Sequence, residues 1–128
     1  MGARILVVDD DPNIREVLGI HLRNAGYEVA TAKDGIEAGY GVLRSRPDLI
    51  IADVEMPHMT GFELVAALRA DNEASSIPVI LFTSQAEWED RGKQLGAVGY
   101  VTKPILVDQL LSVVAQHVER SGSASAAA

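Results

Sequence analysis

The sequence predicts one α/β domain built on a five-stranded parallel sheet with helices on both faces. Three observations lead there. Short, continuous apolar runs bounded by turn residues read as strands buried on both sides. Amphipathic stretches alternate with these runs, so that strand and helix follow one another five times. The 128 residues, 48% of them hydrophobic, fit one domain with a substantial core.

Ile5-Leu6-Val7-Val8 is the first apolar run and the first strand. Asp11-Pro12 then opens a helix, with Asp11 suited to the N-cap and Pro12 to the first helical position. Ile14, Val17, Leu18 and Leu22 give its apolar face, and Gly26 suits its C-terminal stop. Residues 27–31 read as a second strand. Residues 34–44 read as a helix that Gly39 and Gly41 weaken. Leu49-Ile50-Ile51-Ala52 is a third strand, and the segment from Met56 to Gly61, with Pro57, reads as a loop. Phe62, Val65 and Leu68 share the inward face of a helix over 62–69. Residues 77–82 form a fourth strand, 88–95 a short helix, 98–101 a fifth strand and 106–118 a last helix. Ser121 to Ala128 is rich in Ser and Ala and lacks large apolar residues. The domain is therefore expected over 1–120, with 121–128 a disordered tail or the start of a linker.

Composition limits the function classes. Eighteen acidic residues against eleven basic ones give a formal charge of −7. That argues against direct nucleic-acid binding or anionic-membrane binding by this domain. There is no cysteine, hence no disulfide and no thiolate chemistry. No apolar run approaches the length of a membrane span, and residues 1–4 lead into a strand without the apolar segment of a signal peptide. The natural reading is a cytoplasmic protein.

In an open parallel sheet, ligands bind beyond the carboxyl ends of the strands. Asp9 and Asp10 follow the first strand, Asp53 the third, Thr83 and Ser84 the fourth, and Thr102, Lys103 and Pro104 the fifth. Each piece has a plainer meaning alone. An acidic triplet is commonly a solvated turn, a Ser/Thr pair a helix cap, and a lysine before proline an exposed side chain. Together, at four strand ends, they deliver three carboxylates, hydroxyls and one ammonium to one edge. Three carboxylates at short range resist ionising together, and a divalent cation removes that conflict. All-oxygen ligands suit Mg²⁺. Cation, ammonium and hydroxyl stabilise a transferring phosphoryl group, and a carboxylate can be its nucleophile.

The chain resembles the receiver domain of bacterial two-component response regulators. The resemblance rests on Ile5 to Asp10 with Pro12, Leu49 to Asp53 with Met56-Pro57 and Gly61, Pro78 to Ser84, and Gly96-Ala97 through Tyr100 to Pro104. It spans about residues 4 to 119. It implies a flavodoxin-like (βα)₅ fold, with strand order 2-1-3-4-5. It also implies that Asp53 is the phosphoacceptor, and so the residue modified in a phosphoprotein. Mg²⁺ would be held by Asp10 directly, by Asp9 mainly through water, by Asp53, and by the backbone carbonyl of Glu55. Thr83 would bond a phosphoryl oxygen, Lys103 would supply the charge, and the peptide before Pro104 would be cis. Thr83 and Tyr100 would form the switch, which acts on the face of the fourth helix, fifth strand and fifth helix.

The implied partner is a sensor histidine kinase or a histidine phosphotransfer protein. An output domain or downstream protein would read the result. In that role the chain is the substrate of a relay rather than an enzyme. The first helix and the loop after the fifth strand flank the site, so Ile14, Arg15, Leu18 and Ile105 are the expected kinase-facing residues.

Rival readings fit less well. A haloacid-dehalogenase-type phosphatase needs a second aspartate two residues after its nucleophile, where this chain has Glu55. A degenerate receiver used only for binding would not keep the acidic pair, acceptor and lysine. A flavodoxin-like FMN binder lacks its Ser/Thr/Gly-rich loop here. The segment between Thr83 and Gly96 is a residue or two shorter than in many receivers, which predicts a short or irregular fourth helix. His21, His58 and His117 lack close metal-ligand spacing. Gly39-Tyr40-Gly41 lacks the further glycine of a dinucleotide loop.

Overall fold

The apolar runs become strands whose two faces are both covered. The computed structural model describes residues 2–127, with side chains through residue 118. The elements are β1 (Arg4–Val8), α1 (Pro12–Asn24), β2 (Glu28–Ala32), α2 (Gly35–Arg44), β3 (Leu49–Asp53), α3 (Gly61–Ala70), β4 (Val79–Thr83), α4 (Glu89–Leu95), β5 (Gly99–Thr102) and α5 (Val107–Ala127). All strand pairs are parallel, in the order β2-β1-β3-β4-β5. The fold class read from the sequence and the strand order implied by the resemblance are those observed. The tail expected over 121–128 lies outside the residues whose side chains are described.

Successive strand residues point to opposite faces, and that alternation splits the core in two. On one face Leu6, Val8, Ile50, Ala52, Val79 and Leu81 meet Phe62, Leu64, Val65 and Leu68 of α3. On the other, Ile5, Val7, Leu49, Ile51, Ile80 and Phe82 meet Leu18 and Leu22 of α1 and Leu110 and Val114 of α5. One expected core position fails. Val17 is 48% exposed, because the stripe that α1 turns inward runs through Leu18 and Leu22, with Ile14 packed at its edge. β4 begins two residues later than expected. Pro78 has no N–H to donate, although its carbonyl still accepts from Ile50 N at 2.9 Å.

The helix ends follow local chemistry. Asp11 caps α1 through Asn13 N at 2.8 Å, and Gly26 takes φ +100° just beyond it. Asp34 caps α2 through Glu37 N, while Glu37 reaches back to Lys33 N. Thr60 and Glu63 form a reciprocal capping box on α3. Between β4 and α4 a 3₁₀ turn covers Ala86–Trp88, leaving α4 only seven residues, as the shortened segment predicts. Trp88 packs edge-on to Phe62, with ring centroids 5.8 Å apart, so its role here is packing.

Two glycines set the geometry near the strand ends. A Cβ on Gly61 would lie 2.5 Å from the Asp53 carbonyl oxygen, so only glycine lets α3 start against the end of β3. A Cβ on Gly92 would press on Leu81 at 3.1 Å and on the Tyr100 ring at 3.5 Å, so α4 rides close over β4 and β5.

Gly39 is the opposite case. It lines a groove of about 500 Å³ between α2 and α3, and nothing lies within 4 Å of where its Cβ would be. Its φ is not positive, so alanine there relieves the helix penalty without a clash. Gly39→Ala is expected to raise unfolding free energy by about 0.5–1 kcal/mol, read from urea denaturation at constant slope.

Candidate functional site

Parallel registry brings the strand ends level. Val8 pairs with Ala52, Asp53 with Phe82, and Thr83 with Thr102. Asp9 therefore stands beside Asp53, Thr83 comes one step along β4, and Lys103 follows the paired Thr102. Carboxylate oxygens of Asp9, Asp10 and Asp53 all lie within 4.8 Å of one another. Asp9 and Asp53 are buried and Asp10 is exposed. The Lys103 ammonium lies 3.3 Å from Asp53 Oδ2 and 5.2 Å from the centroid of the Phe82 ring. The Lys103–Pro104 peptide is cis, as the resemblance implied.

The backbone fixes these carboxylates. Asp11 N donates to Asp9 Oδ1 at 2.8 Å, and Glu55 N donates to Asp53 Oδ1 at 3.2 Å. Asp9 Oδ2 is buried without a hydrogen-bond partner. A buried carboxylate oxygen with nothing to bond, one of a three-carboxylate set, fits an oxygen-liganded divalent cation. Two arginines support the site in ways the sequence did not show: Arg15 was expected only as a partner-facing residue, and Arg69 was not singled out. Arg15 donates to the Asp9 carbonyl at 2.6 Å. Arg69 donates to the carbonyls of Ser75, Ile77 and Gly96, which ties the loop before β4 to the one before β5. Only the arginines themselves were visible in the sequence; their partners are set by tertiary approach.

Glu55 divides in two. Its backbone lies next to the cluster through Asp53, but its carboxylate is not one of the three converging groups. Glu55 Oε1 instead accepts from Thr83 Oγ1 at 2.8 Å and from Ser84 Oγ at 3.2 Å. Thr83 is fully buried, and its oxygen accepts from Gln85 N at 3.2 Å. The Tyr100 hydroxyl donates to the Gln85 carbonyl at 2.7 Å. Thr83 and Tyr100 are thus joined through Gln85. Of the expected kinase-facing residues, Leu18 is buried beneath α1 and cannot meet a partner; Ile14, Arg15 and Ile105 are partly exposed.

Burial drives the ionisation pattern. Desolvation pushes Asp9 up to about 7, against the bond from the Asp11 backbone, and the Asp53 charge adds to the rise. Desolvation also raises Asp53, and the Lys103 ammonium opposes it. Glu55 is held below the usual range, chiefly by the Thr83 hydroxyl. The Tyr100 phenol is raised by burial and by the charges of Glu87 and Glu89.

A family model described as the response regulator receiver domain matches residues 5–115. The transcriptional regulatory protein PrrA of Mycobacterium tuberculosis is 41% identical over 123 residues, which is 94% of this chain and 52% of that protein. The chain spans about half the length of the curated relatives it matches. Among solved structures, the chemotaxis protein CheY4 of Vibrio cholerae shares 40% identity at a TM-score of 0.85, covering 91% of this chain and 98% of its own. The response regulator TrrA of Thermotoga maritima, solved in complex with Mg²⁺-BeF, shares 37% identity at a TM-score of 0.81, covering 91% and 99%.

The raised carboxyls make stability depend on pH. Asp9 binds its proton more tightly folded than unfolded, so between about pH 4 and pH 7 the native state holds the extra proton. This contribution is present at low pH and is lost as pH rises through about 7; its size is at most a few kcal/mol. Without divalent cations, wild-type protein should lose stability relative to Asp9→Asn between about pH 5 and pH 8. Added Mg²⁺ should stabilise wild type more at the higher pH. Urea midpoints across that range, with and without Mg²⁺, measure both effects.

Proposed function

This chain belongs to the response regulator receiver domain family, and from that premise we propose that it takes a phosphoryl group on Asp53 from a phosphohistidine of a sensor kinase or phosphotransfer protein. The observation that carries the proposal is Asp53 itself. It is a buried carboxylate at the end of β3, in the cluster with Asp9 and Asp10 and ion-paired to Lys103 at 3.3 Å.

In the proposed reaction an Asp53 carboxylate oxygen attacks phosphorus. The phosphorus–nitrogen bond of the donor breaks, its electron pair returns to the imidazole, and the imidazole takes up a proton. An acyl phosphate remains on Asp53. Asp9, Asp10 and Asp53, with the Glu55 backbone carbonyl, would hold Mg²⁺. When bound, the cation supplies the positive charge that lets the carboxylates ionise together and offsets the charge of the transferring group. Lys103 opposes the rise that burial imposes on the acceptor, and its ammonium would offset the charge of the arriving phosphoryl oxygens. Thr83 offers its hydroxyl to one of them.

Redirecting that hydroxyl's hydrogen bond to the phosphoryl group also supplies the switch. Thr83 is linked through Gln85 to Tyr100, so a shift at Thr83 biases the Tyr100 side chain on the α4–β5–α5 face. The donor protein would meet Ile14 and Arg15 of α1 and Ile105 after β5, beside the opening. The output would lie in a separate domain or downstream protein, consistent with relatives named as transcriptional regulators that extend well beyond the matched region.

Treatment with acetyl phosphate and Mg²⁺ should add one phosphoryl group to the intact mass, and Asp53→Asn should remove the gain entirely. Label surviving at the wild-type level in Asp53→Asn would refute the assignment. Asp10→Ala should raise the Mg²⁺ concentration needed for labelling by about tenfold or more. In a beryllofluoride complex the Tyr100–Gln85 bond should break and the ring turn inward; an unchanged Tyr100 rotamer would disprove the coupling.

A further inference from the structure

A hydroxyl has one proton to donate. In this structure the Thr83 proton is already committed, to Glu55 Oε1 at 2.8 Å. Ser84 donates to the same oxygen at 3.2 Å. One carboxylate oxygen thus gathers the two hydroxyls that follow β4, in the position where the site otherwise offers donors to an anion. Thr83 is fully buried and cannot turn to bulk water instead. The Glu55 side chain reaches this place from the surface, with its backbone fixed by the bond to Asp53 Oδ1 at 3.2 Å. It can therefore leave by side-chain rotation alone, without moving β3 or the acceptor.

We propose that Glu55 is a gate on the phosphoryl site: its carboxylate occupies the Thr83 and Ser84 hydroxyls in the resting state, and phosphorylation requires it to swing out. The inference rests on the reading of Asp53 as the acceptor, and it adds a competitor built into the chain. Glu55 is a positioning residue in this account, because it acts through Thr83 and not on phosphorus. The two occupants exclude each other for two reasons. They need the same proton, and a carboxylate beside a phosphoryl dianion is repelled by it. The resting arrangement extends to Gln85, whose N–H bonds Thr83 and whose carbonyl holds Tyr100. A Glu55 carboxylate in place thus favours the resting Tyr100 position. A small anionic donor, with few contacts elsewhere, must displace Glu55 with little binding energy. A protein donor docked across α1 has more to draw on. The gate therefore selects protein donors over small phosphodonors.

The test compares acetyl phosphate labelling rates of wild type, Glu55→Gln and Glu55→Ala with saturating Mg²⁺. An amide oxygen still accepts from Thr83, though more weakly, whereas alanine leaves the hydroxyl free. The expected order is alanine fastest, glutamine between, wild type slowest, with alanine about tenfold above wild type. The order should survive in about 1 M salt, where exposed charges are screened within roughly 3 Å. In a Thr83→Val, Ser84→Ala background the gain from Glu55→Ala should vanish, since no hydroxyl remains to be held. Equal rates for the glutamine and alanine variants, with an advantage lost at high salt, would show repulsion alone and overturn the gate. So would a gain that persists in the background lacking both hydroxyls. If wild type labels and the Glu55 variants label no faster, the gate fails while Asp53 stands as acceptor. If neither wild type nor the Glu55 variants take label, both fall.

Discussion

Two carboxylates buried side by side, with a third at their edge, are the constraint on which the site depends. Parallel pairing of β1 with β3 puts Asp9 and Asp53 at the same height, and both are almost inaccessible to solvent. Burial that deep would normally protonate such groups or unfold the strand ends. The chain answers with a backbone bond to one oxygen of each, from Asp11 and from Glu55, and with the Lys103 ammonium. What it leaves unanswered is Asp9 Oδ2, buried and unbonded. Three carboxylates against one ammonium leave a deficit equal to the charge of a divalent cation. Without that cation, burial pushes Asp9 up to about 7, which favours its protonated form below that pH.

The rest of the architecture brings elements close enough to hold these groups still. Gly61 lets α3 begin against the last carbonyl of β3, where any side chain would collide. Gly92 lets the short α4 settle over Leu81 and the Tyr100 ring. Arg69 then ties α3 to the chain on both sides of β4 by donating to backbone carbonyls. The edge that carries the chemistry is consequently backed by close helix approach at Gly61 and Gly92 and by the Arg69 side chain.

Fold class was legible because β3 and β4 are buried along their whole length, and such strands show as uninterrupted apolar runs; the strand order came from the family resemblance. The acidic pair, Asp53, Thr83 and Lys103 were legible because each sits one or two residues past a run, and parallel topology aligns run ends. Val17 was misread because valine at a helical spacing looks inward whether the stripe is centred on it or beside it. Leu18 was misplaced on the partner surface for the same reason, since one helical turn carries both the buried and the open side. Gly92 reads in sequence only as a helix weakener; its packing reason needs the Tyr100 ring in place. The partners of Glu55 were out of reach too, because Thr83 lies twenty-eight residues away on another strand.

That last contact changes what the edge is. By sequence alone, Glu55 adds a fourth acid to a crowded site. In the fold its carboxylate lies outside the cluster of the other three and takes hydroxyl donors instead, although its charge still adds to the rise at Asp53. Two subsites result. One, between β1 and β3, has acceptors in excess and calls for a cation. The other, after β4, has donors already satisfied by an anion. Asp53 and Lys103 lie where the two adjoin. A group carrying negative oxygens on Asp53 would match the first subsite only with a cation present and the second only with Glu55 displaced. The first match is electrostatic and the second is stoichiometric, one proton for one acceptor. It is the second that reaches Tyr100, because Thr83 and Gln85 share the hydrogen-bond chain that ends on its hydroxyl.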